Sequence, residues 1–388
     1  MVTKILHFAD VHLGMTNFGH LDPQTGLHSR ILEYLSALDC VVDAVEVYQP
    51  DVVLFAGDAF KTRTPSPTLV GHLSERFQAM ADVAPVICVV GNHDRQKGGS
   101  GKRHAIDILS ELHASYEIFV LDTVECLCTD TMCVITLPWF YEDEVSLPQV
   151  CQMIDAALEK APPDLPKVLL GHAEVEGAVY NDAYVASFSL GGKGIVYPLS
   201  LLTEDFDYVA LGHVHRYQAL SQNPPVVYCG AIERVTWADR DEPKGFVTAE
   251  VSLGRAGWKF HDSHAREMVQ IDLPYDRGFS RRLSEYGVDG KIVRVHISTK
   301  KPLGRSALIS EIGSALRGNY LLDGVSITDL SKADRQPFDG QRFESKSAFE
   351  LLELYLRGQY PNDDNRVSTL LDTAHKMIEE HDADLQAC

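Results

Sequence analysis

The chain has 388 residues, room for one large domain with one or two smaller ones, and its 45% hydrophobic content suits a globular protein with a sizeable core. Its 35 basic and 55 acidic residues give a formal charge of -20, which argues against nonspecific nucleic-acid binding by the whole surface but not against a local basic or metal-lined cleft. The opening MVTKILHFAD, broken by His7 and Asp10, is not a secretory signal, and no stretch approaches the ~20 apolar residues of a membrane span.

In chain order, KILHFA (4–9) reads as a strand, residues 30–48 as an amphipathic helix, and VVLFAG (52–57) as the next strand. A helix near 67–82 precedes PVICVV (85–90), and another near 104–113 precedes EIFVLD (117–122). KVLLG (167–171) and YVALG (208–212) continue the series. VECLCTD and MCVITLP, and later VVYCG and GFVTAEV, look like hairpin strands without helices. Short runs of Val, Ile and Leu spaced by helices predict an α/β sheet covered on both faces. With the hairpins added, the pattern predicts an α/β sandwich of two packed sheets rather than one doubly wound sheet.

After about residue 265 the pattern changes: MVQIDL, KIVRVHIS and GVSITDL are strands, with SALISEIGSALRG a helix between the last two. A polar stretch with Pro337 and Gly340 follows, then two helical patterns separated by PNDDN (361–365). The expected organisation is a large domain over 1–265, a small α/β domain over 266–333, a linker over 334–342 and a helix–loop–helix over 343–388. The eight cysteines are scattered without a CxxC pair, which supports neither a zinc ribbon nor a thioredoxin-type site and points to a reducing, cytoplasmic compartment. Cys126, Cys128 and Cys133 read as small buried residues on neighbouring strands, with a soft-metal site as the alternative.

The chemistry lies where the strands stop. YVALG runs into His213-Val214-His215, and side chains at i and i+2 of an extended segment share a face. KILHFA runs into Asp10-Val11-His12, VVLFAG into Asp58, PVICVV into Asn92-His93-Asp94 and KVLLG into His172. Five apolar runs thus place metal-ligand types at their carboxyl ends, the edge where α/β sheets build their sites. The count suits two ions, one on Asp10, His12, Asp58 and His215, the other on Asp58, Asn92, His172 and His213. Asp58 bridges, since one carboxylate can hold two cations about 3.5–4 Å apart. Imidazole and oxygen without thiolate favour manganese, iron, zinc or magnesium over copper(I). His93 is surplus to the ligand count, which makes it the natural general acid for a leaving alkoxide.

DxH, GD, GNHD, GH and GHxH, in that order over about residues 1–235, resemble the five motifs of the calcineurin-like metallophosphoesterases. ILHFADVHLG, FAGDAF followed by TPSP, GNHDR and ALGHVHRYQ are most similar to the Mre11/SbcD nuclease branch. The resemblance implies a manganese-dependent exonuclease for double-stranded DNA ends that also cuts single strands and hairpins as an endonuclease. It implies a homodimer, a capping domain over 266–333 and a terminal helical segment that binds an SbcC/Rad50-type coiled-coil ATPase. The stripes offered to that partner are Phe349, Leu352 and Leu356 on one helix, and Val367, Leu370, Leu371, Ala374 and Ile378 on the other. Lys61, Arg63, Arg95, Lys97, Lys102, Arg103 and Arg216, beside the motifs, are the expected DNA contacts.

The chain departs from its relatives at Lys61. Three residues past the bridging aspartate, relatives commonly carry an Asp or His that orients the catalytic histidine, and a lysine cannot accept an imidazole proton. Either Asp94 or another acceptor orients His93, or Lys61 meets the scissile phosphate, or it points to solvent. Two other functions share the ligands: a phosphodiesterase for small nucleotides, and a metal-bound scaffold without hydrolysis. The intact ligand set with His93 argues against the scaffold, and the helix pair argues against the small-molecule enzyme.

Overall fold

The computed structural model describes residues 2–96, 103–181, 184–185, 194–300, 303–329, 356–357, 364, 366–371 and 373. The first elements are β1 (Thr3–Phe8), α1 (Ser29–Tyr48), β2 (Val52–Phe55), α2 (Pro67–Ala81), β3 (Val86–Val89) and β4 (Ile118–Leu121). β1 to β4 lie parallel in sequence order, and the hairpin Gly245–Ser252/Arg255–Asp262 joins antiparallel beside β1 to make six strands. A second six-stranded sheet contains β5 (Cys126–Cys128), β6 (Cys133–Leu137) and, after α3 (Leu147–Leu158), β7 (Lys167–His172). Beyond β7 it continues with Tyr208–Gly212, Pro225–Tyr228 and Gln218–Gln222.

Alternation along the strands explains why β2, β3 and β6 are buried at every position. Leu6, Phe8, Val53 and Phe55 pack on Tyr34, Leu38 and Val41 of α1 and Phe77 of α2. Their neighbours Ile5, Val52, Leu54 and Ile87 meet Val134, Val168, Leu170 and Ala210 of the other sheet. Ile135, Leu137, Leu169 and Leu211 turn the opposite way, onto Val150 and Ile154 of α3. Two face-to-face sheets with helices outside are the predicted α/β sandwich.

Two local expectations change. The helix near 104–113 is a 3-10 helix at Ala105–Glu111, whose buried Ile106 and Leu109 sit three residues apart, the repeat of that tighter helix. The cysteines of the β5–β6 hairpin are not all small buried residues: Cys133 is buried, Cys126 half-buried and Cys128 exposed. Cys128 stands directly opposite Cys133 in the register, and the two form a disulfide.

Further along, Met268–Pro274, Ile292–Thr299 and Leu321–Asp329 form a three-stranded sheet in that order, with helices at Phe279–Leu283 and Arg305–Ala315. The chain falls into two compact units. One comprises residues 1–271, 284–295 and 315–324, and contains both six-stranded sheets; the other comprises 272–283, 296–314 and 325–388. Within the second, Leu308 and Ile312 are buried, and the Tyr275 hydroxyl donates to Glu311 at 2.9 Å. Of the expected terminal helices, Leu356 and Val367 are buried, Leu370 is exposed and Leu371 is half-buried. Phe349, Leu352, Ala374 and Ile378 lie outside the described residues.

Candidate metal centre

The backbone is bent where the expected ligands sit. Among the described residues seven non-glycine positions have positive φ, and four are Asp10 (53°), His12 (46°), Asp58 (61°) and His213 (92°). Such conformations cost of order 1–3 kcal/mol each and concentrate at functional sites. The glycines before two motifs provide close approach. A Cβ on Gly57 would stand 2.6 Å from His172 Nδ1, and one on Gly91 would stand 2.2 Å from Asp58 Oδ1.

The side chains converge. His12 Nε2 is 3.0 Å from His215 Nε2, 3.7 Å from Asp58 Oδ2 and 4.0 Å from Asp10 Oδ1. His172 Nε2 is 3.5 Å from the same Asp58 Oδ2 and 2.9 Å from Asn92 Oδ1, which is 3.1 Å from His213 Nδ1. One carboxylate oxygen therefore adjoins both expected ligand sets. Asp10, His12, Asp58 and His172 are each at most 2% exposed. His172 Nδ1 donates to the Ala56 carbonyl at 2.6 Å, which aims Nε2 at the centre, and the Asp10 carboxylate accepts the His213 amide.

The electrostatics call for positive charge. Burial works against a proton on His172, yet the adjacent Asp58 carboxylate overrides it and lifts the imidazole to about 9. Asp58 is also buried, but His172 and then His12 hold it well below the ordinary carboxylate range. Burial drives His12 far down, His213 to about 3 and His215 to about 4, so these three rings present lone pairs. Burial raises Asp10 to about 7, with Asp58 pushing the same way. A proton on His172 thus stands among oxygen and nitrogen acceptors that divalent cations would satisfy better, and the donor set fits two of them. They would be held by Asp10, His12, Asp58 and His215, and by Asp58, Asn92, His172 and His213.

His93 settles the question raised by Lys61. Its Nδ1 donates to the Lys61 backbone carbonyl at 2.8 Å, so the chain orients the imidazole without a carboxylate at that position. A nitrogen of His93 lies within 4.8 Å of ligand atoms on His12 and Asp58. Asp94, expected beside His93 in catalysis, is instead engaged by the loops: its carboxylate accepts the amides of Asp58 at 2.8 Å, Ala59 at 3.0 Å and Gly91 at 3.2 Å. Burial raises it to about 7.

The expected DNA contacts are scattered by comparison. Arg63 donates to the carbonyls of Arg95 and Asn92 and to the Tyr141 hydroxyl. Arg95 pairs with Glu144 at 3.4 Å and lies over the Phe140 ring. Arg103 is exposed beside Glu111, while Lys61 and Arg216 are half-buried. Lys97 and Lys102 lie outside the described residues.

Two residues escaped the sequence reading. Trp139 packs its ring 4.6 Å from that of His213, and its buried Nε1 has no hydrogen-bond partner among the described residues. Its signal was PWFY at the end of β6, a sixth strand end bearing aromatics instead of ligands. Lys244, 1% exposed, donates to the His215 carbonyl at 2.7 Å and to Glu242 at 3.0 Å, and lies 3.3 Å from Asp239. The signal there was the charged run DRDEPK immediately before an apolar strand.

Residues 3–217 match the family described as calcineurin-like phosphoesterase. The chain is 23% identical over 294 residues to the SbcD component of the nuclease SbcCD of Staphylococcus saprophyticus, covering 72% of this chain and 74% of that protein. It is 24% identical over 261 residues to the same component of the nuclease SbcCD of Staphylococcus epidermidis, covering 64% and 66%. Among solved structures, phosphopantetheinyl hydrolase from Mycobacterium tuberculosis aligns with a TM-score of 0.31 and 14% identity, covering 58% of this chain and 87% of that one. With its five motifs gathered around Asp58, the chain belongs to the calcineurin-like phosphoesterases as an SbcD-like, metal-dependent hydrolase of phosphoesters.

Proposed function

We propose that the protein is a manganese-dependent DNA nuclease that hydrolyses phosphodiester bonds at a two-metal centre, acting on duplex ends as an exonuclease and on single strands and hairpins as an endonuclease. The observation that carries this reading is the position of Asp58 Oδ2, 3.7 Å from His12 and 3.5 Å from His172, with His93 alongside. Two cations held there by Asp10, His12, Asp58, Asn92, His172, His213 and His215 would supply positive charge to a phosphodiester and lower the pKa of a bound water. Asp58 keeps the two ligand sets together, and Asp94 keeps the Asp58 loop in place through backbone amides. His93 has Nδ1 committed to the Lys61 carbonyl, leaving Nε2 to carry a proton to the leaving oxygen.

The similar proteins are each named as one component of a nuclease called SbcCD, which supports a second component here as well. We assign that role to a coiled-coil ATPase, bound by the helical patterns over 343–388. Residues 1–265 would be the nuclease domain, 266–333 the cap, and the active form a homodimer. No helix among the described residues is long and apolar enough to cross a membrane.

A side-by-side assay tests the activity: end-labelled duplex DNA, a DNA hairpin and a cyclic dinucleotide, each with manganese and with magnesium. Manganese-dependent cleavage of both DNAs is expected. Hydrolysis of the dinucleotide alone would replace this reading with a small-nucleotide phosphodiesterase.

A further inference from the structure

We propose that Cys126, Cys128 and Cys133 form a second ion site, a three-sulfur seat for a soft, thiophilic ion that opens when the Cys128–Cys133 bond is reduced. The three sulfur atoms lie within 4.8 Å of one another, and those of Cys126 and Cys128 are 3.6 Å apart. Cys126 and Cys128, two positions apart on β5, share one face of the sheet. Cys133 reaches the same face because it stands opposite Cys128 in the hairpin register. An ion about 2.3 Å from each of three sulfurs spaces them about 4 Å apart. Cys126 and Cys128 already approach that spacing, and reduction lets Cys133 move out to it.

Position and chemistry separate this site from the histidine–carboxylate centre. β5 is the last strand of its sheet, so one flank of the hairpin is open, and exposure grades from Cys128 through Cys126 to buried Cys133. An ion can therefore enter from solvent and finish against the core. The cluster offers sulfur alone, which selects soft ions and rejects the hard cations suited to Asp58 and Asn92. Burial pushes the Cys126 thiol up, and the cation near it, Lys160, opposes that shift and would offset part of the charge of three thiolates.

The chemistry balances. A phosphine reductant takes oxygen from water to become the phosphine oxide, and its two electrons with two protons turn the disulfide into two thiols. Arsenous acid, a three-sulfur probe, then exchanges three As–OH bonds for three As–S bonds and releases three waters. Phenylarsenous acid, a two-sulfur probe, releases two.

The experiment uses the full chain, reduced by phosphine without oxygen, with arsenic counted by native mass spectrometry. The wild type should bind one arsenic from arsenite after reduction and none before it. Cys126→Ser should weaken arsenite binding beyond the roughly 10–100-fold typical of losing a ligand's supporting contact, yet still take phenylarsenous acid on Cys128 and Cys133. Cys128→Ser should weaken arsenite in the same way yet still take phenylarsenous acid on Cys126 and Cys133, and Cys40→Ser with Cys151→Ser should lose neither. Cys126 and Cys128 are only partly buried or exposed, so these variants test binding without excavating the core; circular dichroism checks that each is folded. If Cys126→Ser holds arsenite as tightly as the wild type, or the reduced wild type does not bind it, the three-sulfur site is wrong. Should Cys126→Ser fail to fold, Cys126→Ala takes its place and is read by the same two outcomes.

Discussion

The two proposed ligand sets share Asp58 but differ in how their side chains hold protons. In one, His12 and His215 are driven by burial to the neutral form and face each other at 3.0 Å, with the Asp10 carboxyl raised to about 7. In the other, His172 is opposed by burial yet held protonated up to about 9 by Asp58. One carboxylate thus faces two neutral imidazoles on one side and a protonated one on the other. The lesson is that a shared bridging ligand need not give two equivalent sites: a second cation would displace a proton held up to about 9 on His172, where the first would meet only the Asp10 carboxyl at about 7.

The largest effect should come from removing what the sets share. Asp58→Ala should abolish phosphoester hydrolysis and leave less metal bound than in the wild type, as counted by elemental analysis after gel filtration. Two full equivalents in that variant would refute the bridge. Next comes the group that belongs to neither set. His93→Asn should slow turnover by roughly 10²–10⁴-fold while keeping both metals and substrate affinity. If a crystal of that variant, soaked in manganese, showed a position empty, His93 would be a ligand instead.

The legibility of the site follows its geometry. Asp10, Asp58, Asn92, His172 and the pair His213 and His215 could be read because each lies at the carboxyl end of an apolar run, and parallel strands gather those ends. The partners of His93 and Asp94 could not be read, because one uses the Lys61 carbonyl and the other a set of backbone amides. Backbone atoms carry no residue identity, so only the folded loop selects them. The sandwich was legible from buried runs and hairpins, whereas the Cys128–Cys133 bond depends on register, which a one-residue slip would change. Ile106 and Leu109, three apart, suit an α- or a 3-10 helix equally.

The protonation contrast can be tested directly, with a smaller effect. Cations need deprotonated ligands, so below each group's pKa the affinity falls by about tenfold per pH unit. The set containing Asp10 should reach full affinity above about pH 7, and the set containing His172 only above about pH 9. At pH 8 the first should be saturated while the second still gains from added base. Manganese titrations followed by electron paramagnetic resonance between pH 6 and 9.5 should resolve two steps whose affinities diverge as pH falls. Titration in buffers of different ionisation enthalpy should show close to one proton released in the second step at pH 7. Two steps that weaken in parallel would break the comparison.

The smallest expected effect is the most selective, because Lys244 reaches one set alone. Its ammonium group lies beneath His215, bound to that residue's carbonyl and to the carboxylates of Glu242 and Asp239. Asp239 is in turn fixed by the amides of Val235 and Thr236, so the cluster anchors the HxH loop through the His215 carbonyl. Lys244→Met leaves two buried carboxylates without their cation, a loss of about 3–5 kcal/mol in stability for broken buried pairs. It also frees the His215 carbonyl, and a loosened ligand should weaken the set of Asp10, His12 and His215 by roughly tenfold. His172 and His213 are seated by other contacts, so the second set should keep its affinity and its pH profile. Lys244→Arg, which keeps the charge and can still donate, should restore part of the loss. Equal weakening of both sets would mean that Lys244 supports the fold as a whole rather than the position of His215.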